Sequence, residues 1–150
     1  NVLRTLGKKA AAVTLIIDIL KGAVPVIIGA FAGPVFAFGC GTMAMIGHVW
    51  PFQFKFKGGK GVATGIGVVL AVNPILGLML LVIFAAVVAI TRYVSLGSCI
   101  AAFVMPALAI VLVPDFFWFA VIIAAIIIIK HRANLARIVR GEESKLSFSK

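Results

Sequence analysis

The 150-residue chain is 63% hydrophobic and 12% charged, with 14 basic residues against 4 acidic ones and a formal net charge of +10. Soluble domains carry about 25% charged residues, and a mean hydropathy of +1.24 leaves too little polar surface to wrap a globule in water. Lipid is therefore the expected solvent, which excludes a soluble nucleic-acid binder and a disordered tail; the two cysteines lie in apolar runs and read as packing residues, which excludes a disulfide scaffold.

The chain opens on Asn1-Val2-Leu3-Arg4 without a methionine or a signal peptide. This start reads as a truncation. A crossing helix needs about 20 apolar residues, and breakers divide the chain into runs at 10–32, 35–50, 62–90, 93–113 and 116–129. Gly33-Pro34, Pro51, Pro114-Asp115 and Lys130-His131-Arg132 close the first, second, fourth and fifth. As one straight helix the third run would be about 44 Å long at 1.5 Å per residue, well beyond a bilayer. Asn73-Pro74 splits it, because Asn-Pro signals a turn and proline disfavours helix in the residue before it.

With that split the chain predicts six hydrophobic helices, some short, in an all-α polytopic membrane bundle. Arg4, Lys8 and Lys9, the Lys55/Lys57/Lys60 loop, Arg92 and the tail from Lys130 then all fall on one side. By the positive-inside rule that side is the cytoplasm, and Lys21 is the one basic residue left out of the pattern. The small residues Gly29, Ala32, Gly33, Gly39, Gly41, Gly47, Gly65 and Gly67 are expected to let helices approach closely in lipid.

Three polar features interrupt the apolar pattern. Asp18 and Lys21, at i and i+3 inside the first run, share a helix face and can pair. Ionisable residues inside a membrane are functional candidates by default, although Lys21 can equally snorkel with Asp18 neutralising it. The second feature is Phe54-Lys55-Phe56-Lys57-Gly58-Gly59-Lys60-Gly61, ahead of a short helix starting near Val62. Backbone N–H groups of Gly58, Gly59 and Gly61, a helix N-terminus, Lys57, Lys60 and the Thr64 hydroxyl suit an anion. Walker A is excluded because Lys60 precedes glycine, and no GxGxxG register fits. The third is the tail, where His131, Asn134 and Ile138 share a helical face with Arg137 beside them. That tail can also simply meet anionic lipid headgroups. Arg4, the 57–61 loop and the 131–137 face, with Arg92 and Ser95, all suit phosphate, and together they point to a phosphate-bearing substrate met beside lipid.

These blocks resemble the bacterial acyl-phosphate:glycerol-3-phosphate acyltransferases of membrane phospholipid synthesis. Asn1 to Arg4 looks like the end of the family's first motif. Asp18, Lys21 and Gly22 match its Asp-x-x-Lys-Gly stretch, and Gly47, His48, Trp50 and Pro51 match Gly-His-x-aromatic-Pro, with Trp50 where Phe is usual. Phe56 to Thr64 matches Phe-Lys-Gly-Gly-Lys-Gly-Val-Ala-Thr, Thr91 to Ser95 matches Thr-Arg-Tyr-Val-Ser, and His131 to Arg137 matches His-Arg-x-Asn-x-x-Arg with Gly141 and Glu142 beyond. The blocks run the whole length of the chain in order. The first half of motif one is absent, so a chain lacking it is expected to be inactive alone.

The resemblance implies a single transmembrane acyltransferase domain over residues 1–150, truncated at its N-terminus, with six of seven helices visible and its motifs at the cytoplasmic face of the bacterial inner membrane. It implies acyl transfer from acyl phosphate to the 1-hydroxyl of glycerol 3-phosphate, giving lysophosphatidic acid and phosphate. No cofactor, metal or nucleic acid is implied; the partners are the two substrates and membrane lipid. Acyl phosphate is already activated, so the chain needs to hold two phosphates, orient the hydroxyl and stabilise an oxyanion. In that scheme Lys60 and the loop amides hold the donor phosphate, Arg4, His131, Asn134 and Arg137 hold glycerol 3-phosphate, and His131 is the candidate base. Neither His48 nor His131 begins the His-x4-Asp pattern of the acyl-CoA and acyl-carrier-protein enzymes. A transporter of a small phosphorylated anion is the alternative class, and a lipid-binding scaffold would leave the Lys-Gly loop unexplained.

Overall fold

The computed structural model describes residues 2–146, and side chains from Gly7 onward except that of Lys8. Its described residues form an all-helical chain: α1 (Val2–Ala30), α2 (Pro34–Val49), α3 (Val62–Val72), α4 (Pro74–Thr91), α5 (Val94–Leu112), α6 (Phe117–Lys130) and α7 (Arg132–Val139). The six expected hydrophobic helices are α1 to α6, and the basic tail adds α7. Among the described residues four segments are long and apolar enough to cross a membrane: Lys9–Ala30, Pro34–Phe54, Pro74–Thr91 and Val94–Leu112. Pro114–Lys130 qualifies only together with Arg132–Val139, across a 52° bend, and Val62–Val72 is shorter.

The expected breakers act where they stand. Pro34 and Pro74 each open a helix, where a missing N–H costs nothing. Asn73 caps α4, its side-chain oxygen accepting from Leu76 N at 2.9 Å. Gly7, at φ 83° and ψ 178°, kinks α1. The chain falls into two compact units, one ending at Val72 and one beginning at Asn73.

In the first unit α2 runs antiparallel to α1. Asp18 meets His48 near one end, and Gly29 packs on Phe36 and Ala37 near the other. Small residues set the spacing. A β-carbon on Gly22 would fall on the Thr64 carbonyl oxygen and lie 2.9 Å from Val68 N, and one on Gly67 would fall on the Ile19 carbonyl oxygen. Val26, Met45, Val49, Val68 and Val69 fill the space between. Of the glycines expected to pack, Gly29, Gly41 and Gly67 do so. Gly33, Gly39 and Gly47 have nothing within 4 Å of a β-carbon, so the close-packing expectation is corrected at those three positions.

In the second unit α4 turns into α5 at Arg92, which takes φ 62° and donates its N–H to Val88 O at 2.8 Å. Gly97 then packs on Val88 and Phe84. Phe116, fully buried in a 3-10 turn, anchors the passage to α6, whose inner face is Ala120, Ile123, Ala124 and Ile127 at helical spacing. Outward-facing residues are as apolar as the core: Phe103 is 76% exposed and Trp118 72%. Such a surface suits contact with hydrocarbon rather than water.

Candidate active site

In the first unit the end of α2 shapes the glycine-rich loop. A 3-10 turn at Phe52–Phe54 follows Pro51, and Lys55 and Phe56 both adopt left-handed backbone, at φ 51° and 60°. Phe56 N donates to Pro51 O at 3.0 Å and Gly58 N to Val49 O at 3.2 Å, so the loop folds back onto the helix it left. Only Gly61 among the loop's glycines needs glycine for its backbone, at φ +81°, with Met45 Cε 2.7 Å from the place of a β-carbon. Gly58 and Gly59 are required by proximity instead. A β-carbon on Gly58 would fall on the His48 carbonyl oxygen, and one on Gly59 on His48 Nε2. Lys57, Gly58, Gly59 and Lys60 are exposed on the other side. Thr64 is fully buried, and its hydroxyl is the one buried side-chain polar atom among the described residues that finds no hydrogen-bond partner.

Asp18 and Lys21 pair as expected, with Nζ 3.4 Å from Oδ1. The same oxygen lies 3.6 Å from His48 Nδ1. The three residues are therefore level with the end of α2 rather than midway along the unit. Lys21 lines a cavity of about 480 Å³ together with His48, Gln53, Phe54, Gly58 and Gly59. Lys21, the one basic residue left out of the charge pattern, thus stands at the loop end of its unit.

In the second unit the 131–137 face converges on a carboxylate that the motif reading did not single out. Glu143, with a side chain 10% exposed, accepts from Ser95 Oγ at 2.8 Å and Asn134 Nδ2 at 2.6 Å through one oxygen. Its other oxygen accepts from Arg137 Nε at 2.8 Å. Burial raises its pKa, but the hydrogen bonds from Asn134, Ser95 and Arg137 and the Arg137 charge outweigh it and hold the carboxyl below a glutamate's usual value. Glu142, the acidic residue the motif comparison singled out, forms an exposed pair with Arg140 at 2.9 Å instead. The signal for Glu143 was available: a chain with 4 acidic residues places two of them at the end of its polar tail.

His131 is 3% exposed and stands at the bend between α6 and α7. Its Nδ1 lies 2.8 Å from Ile127 O, and a carbonyl only accepts, so Nδ1 carries the proton. In the neutral ring that makes Nε2 the basic nitrogen. The segment after α7 returns to the α4–α5 corner, where Leu146 N donates to Arg92 O at 2.8 Å and Lys145 Nζ lies 5.5 Å from the Tyr93 ring centroid. Arg92 thus contributes its carbonyl to the corner while its side chain stays exposed. Ser95, Asn134 and Arg137 are brought together at Glu143. The side chain of Arg4 lies outside the described residues. Among the described residues no group of three or more His, Cys, Asp or Glu side chains forms a metal site.

The family model for glycerol-3-phosphate acyltransferase matches residues 1–141. A glycerol-3-phosphate acyltransferase from Thermoanaerobacter sp. (strain X514) is 44% identical, over 97% of this chain and 75% of its own length. The one from Clostridioides difficile (strain 630) is also 44% identical, over 100% of this chain and 78% of its own. Among solved structures, the glycerol 3-phosphate form of the integral membrane acyltransferase PlsY (YgiH) superposes with a TM-score of 0.92 at 34% identity, covering 97% of this chain and 76% of that one. The form with lysophosphatidic acid gives 0.92 at 35% identity, covering 98% and 78%. The all-α, polytopic integral-membrane fold expected from the hydrophobic runs is the fold found.

Proposed function

The chain belongs to the glycerol-3-phosphate acyltransferase family, and we propose that its acyl donor is acyl phosphate, transferred to the 1-hydroxyl of glycerol 3-phosphate to give lysophosphatidic acid and inorganic phosphate. The observation that carries the donor assignment is that each unit has its own phosphate-suited group. One is the lysine- and glycine-rich loop before α3; the other is the Ser95–Asn134–Arg137 cluster beside His131. A thioester donor brings no phosphate to its reacting carbonyl and would leave the loop without a ligand.

In this reading Lys57, Lys60 and the amides of Gly59 and Gly61 hold the donor phosphate; the Gly58 amide, expected to join them, donates to Val49 O instead, and Thr64 is buried at the start of the following helix. In the second unit Asn134 and Arg137, with Ser95 bonded to the same Glu143 carboxylate, hold glycerol 3-phosphate, and Arg4 and Arg92 are assigned to the same substrate by their charge. Glu143 engages Arg137 through Nε, so the two terminal nitrogens of the guanidinium are not used by that pair. The substrate hydroxyl oxygen attacks the acyl carbon, the carbon–oxygen bond to phosphate breaks, and His131 Nε2 takes the hydroxyl proton. The phosphate leaves as a stable anion, so no nucleophilic side chain is needed. Residues 1–150 belong to one acyltransferase domain in a bacterial cytoplasmic membrane. The tail and both basic groups face the cytoplasm, an orientation supported by the gathering of positive charge at one end of each unit.

The direct test gives the full-length protein, in vesicles, labelled glycerol 3-phosphate with acyl phosphate, acyl-CoA or acyl-carrier protein. Lysophosphatidic acid is expected only with acyl phosphate. Esterification with a thioester would overturn the donor assignment, and uptake of label without esterification would favour transport. His131→Gln is expected to lower kcat about 10²-fold or more. A near-normal kcat with a raised KM would instead make His131 a binding group and leave the proton to a substrate phosphate.

A further inference from the structure

We infer that His48, steadied by Asp18, is a positioning residue that sets the shape of the 57–61 loop; the inference rests on reading that loop as a substrate-phosphate cradle. Three parts of the first unit meet at this one imidazole. Asp18 of α1 faces its Nδ1 at 3.6 Å, too long for a hydrogen bond but close enough for a carboxylate to orient the ring. Gly59 of the loop lies against its Nε2, and Gly58 lies against the His48 carbonyl. The side chains of His48 and Asp18 are 16% and 19% exposed, so most of the ring is packed against protein although one part of it lines the cavity beside Lys21.

The backbone conformation explains why the contact specifies the loop. Gly59 is not among the glycines with positive φ, so its backbone would accept an alanine. The His48 ring forbids the added methyl, and the ring is held from behind by Asp18. Lys21 Nζ lies 3.4 Å from the same Asp18 oxygen, so that carboxylate is tied on both sides. An Asp–His pair invites comparison with a general-base dyad. Here, however, the nitrogen that would take the proton abuts the Gly59 backbone, so His48 acts through the loop and not on substrate.

A displacement of about 1 Å in a positioning element costs on the order of 10² in rate, which makes the effect readable in steady-state kinetics. His48→Ala in the full-length protein is expected to raise KM for acyl phosphate about tenfold, with KM for glycerol 3-phosphate changed less than about twofold, because the ring touches only the donor loop. The decisive measurement is the double-mutant cycle with Gly59→Ala. Alone, Gly59→Ala is expected to raise KM for acyl phosphate about tenfold. Added to His48→Ala, it should cost less than about twofold, because the methyl then occupies the space the ring left.

Equal effects of Gly59→Ala in both backgrounds, or an unchanged KM in His48→Ala, would overturn the positioning role. If His48→Ala does not fold, Asp18→Asn keeps the size and removes the charge that orients the ring. A raised KM for acyl phosphate then supports the inference, and an unchanged one overturns it. Failure of the donor reading looks different: wild-type protein would turn over a thioester, and the His48–Gly59 coupling would appear in kcat/KM for that reaction instead.

Discussion

Glu143→Ala is expected to destabilise the second unit by about 3 kcal/mol and to lower kcat/KM at least about 10²-fold. The carboxylate is the common acceptor for Ser95, Asn134 and Arg137, three side chains drawn from α5 and α7. Removing it takes the shared acceptor away from the buried Asn134 amide and from the Arg137 guanidinium. That is costlier than never having built the cluster, because the donors stay desolvated. Arg137 is 40% exposed and can recover water, which keeps the loss at the low end for a broken buried pair. Glu143→Gln separates charge from shape. Its amide oxygen can still accept from Ser95 and Asn134, but its NH₂ would face Arg137 Nε, donor against donor.

The lowered pKa of Glu143 gives this cluster a pH signature. Unfolded, a glutamate titrates near about 4.3. Folded, it stays ionised to lower pH, so its stabilisation is present in full well above that value and is lost as pH falls through the lowered folded pKa. The difference in thermal stability between wild type and Glu143→Gln in detergent is therefore expected to be constant from about pH 6 to 8 and to shrink under acid. A difference that persists unchanged at about pH 3 would show that the charge is not what stabilises the cluster.

Local signals in the sequence were legible and long-range ones were not. Pro34, Asn73-Pro74 and Pro114 mark helix boundaries because each acts on the backbone within a turn of itself, and all three stand where the helices break. The i, i+3 pairing of Asp18 with Lys21 is equally local and is made. Glu143 meets Ser95 across 48 positions, and Asp18 meets His48 across two helices, so neither partnership has a spacing that a periodicity can reveal. The His131, Asn134 and Arg137 face was readable as a helical stripe. The carboxylate that organises it lies beyond the end of that helix, where helical spacing no longer applies.

Gly22→Ala and Gly67→Ala are expected to be the most damaging single-methyl changes in the first unit. Both added carbons would fall on backbone oxygens of the facing helix, Thr64 for Gly22 and Ile19 for Gly67. No rotamer change can clear a backbone atom, so α1 and α3 would have to separate. That separation forfeits the close contact that drives helix association where lipid is as apolar as the helix surface. Overpacking of this kind costs about 1–3 kcal/mol where side chains can yield, and these sites belong at or above the upper end. Gly39→Ala provides the matched control: Gly39 lies inside α2 with nothing within 4 Å of a β-carbon. There the substitution should be neutral or stabilise by about 0.5–1 kcal/mol, since alanine loses less backbone freedom than glycine in a helix. Thermal unfolding of the three variants in one detergent compares them directly. A melting temperature for Gly22→Ala or Gly67→Ala equal to that of Gly39→Ala would mean that α1 and α3 do not depend on this approach. A large drop confined to the first two makes glycine at both positions a requirement of the helix crossing from which the 57–61 loop is built.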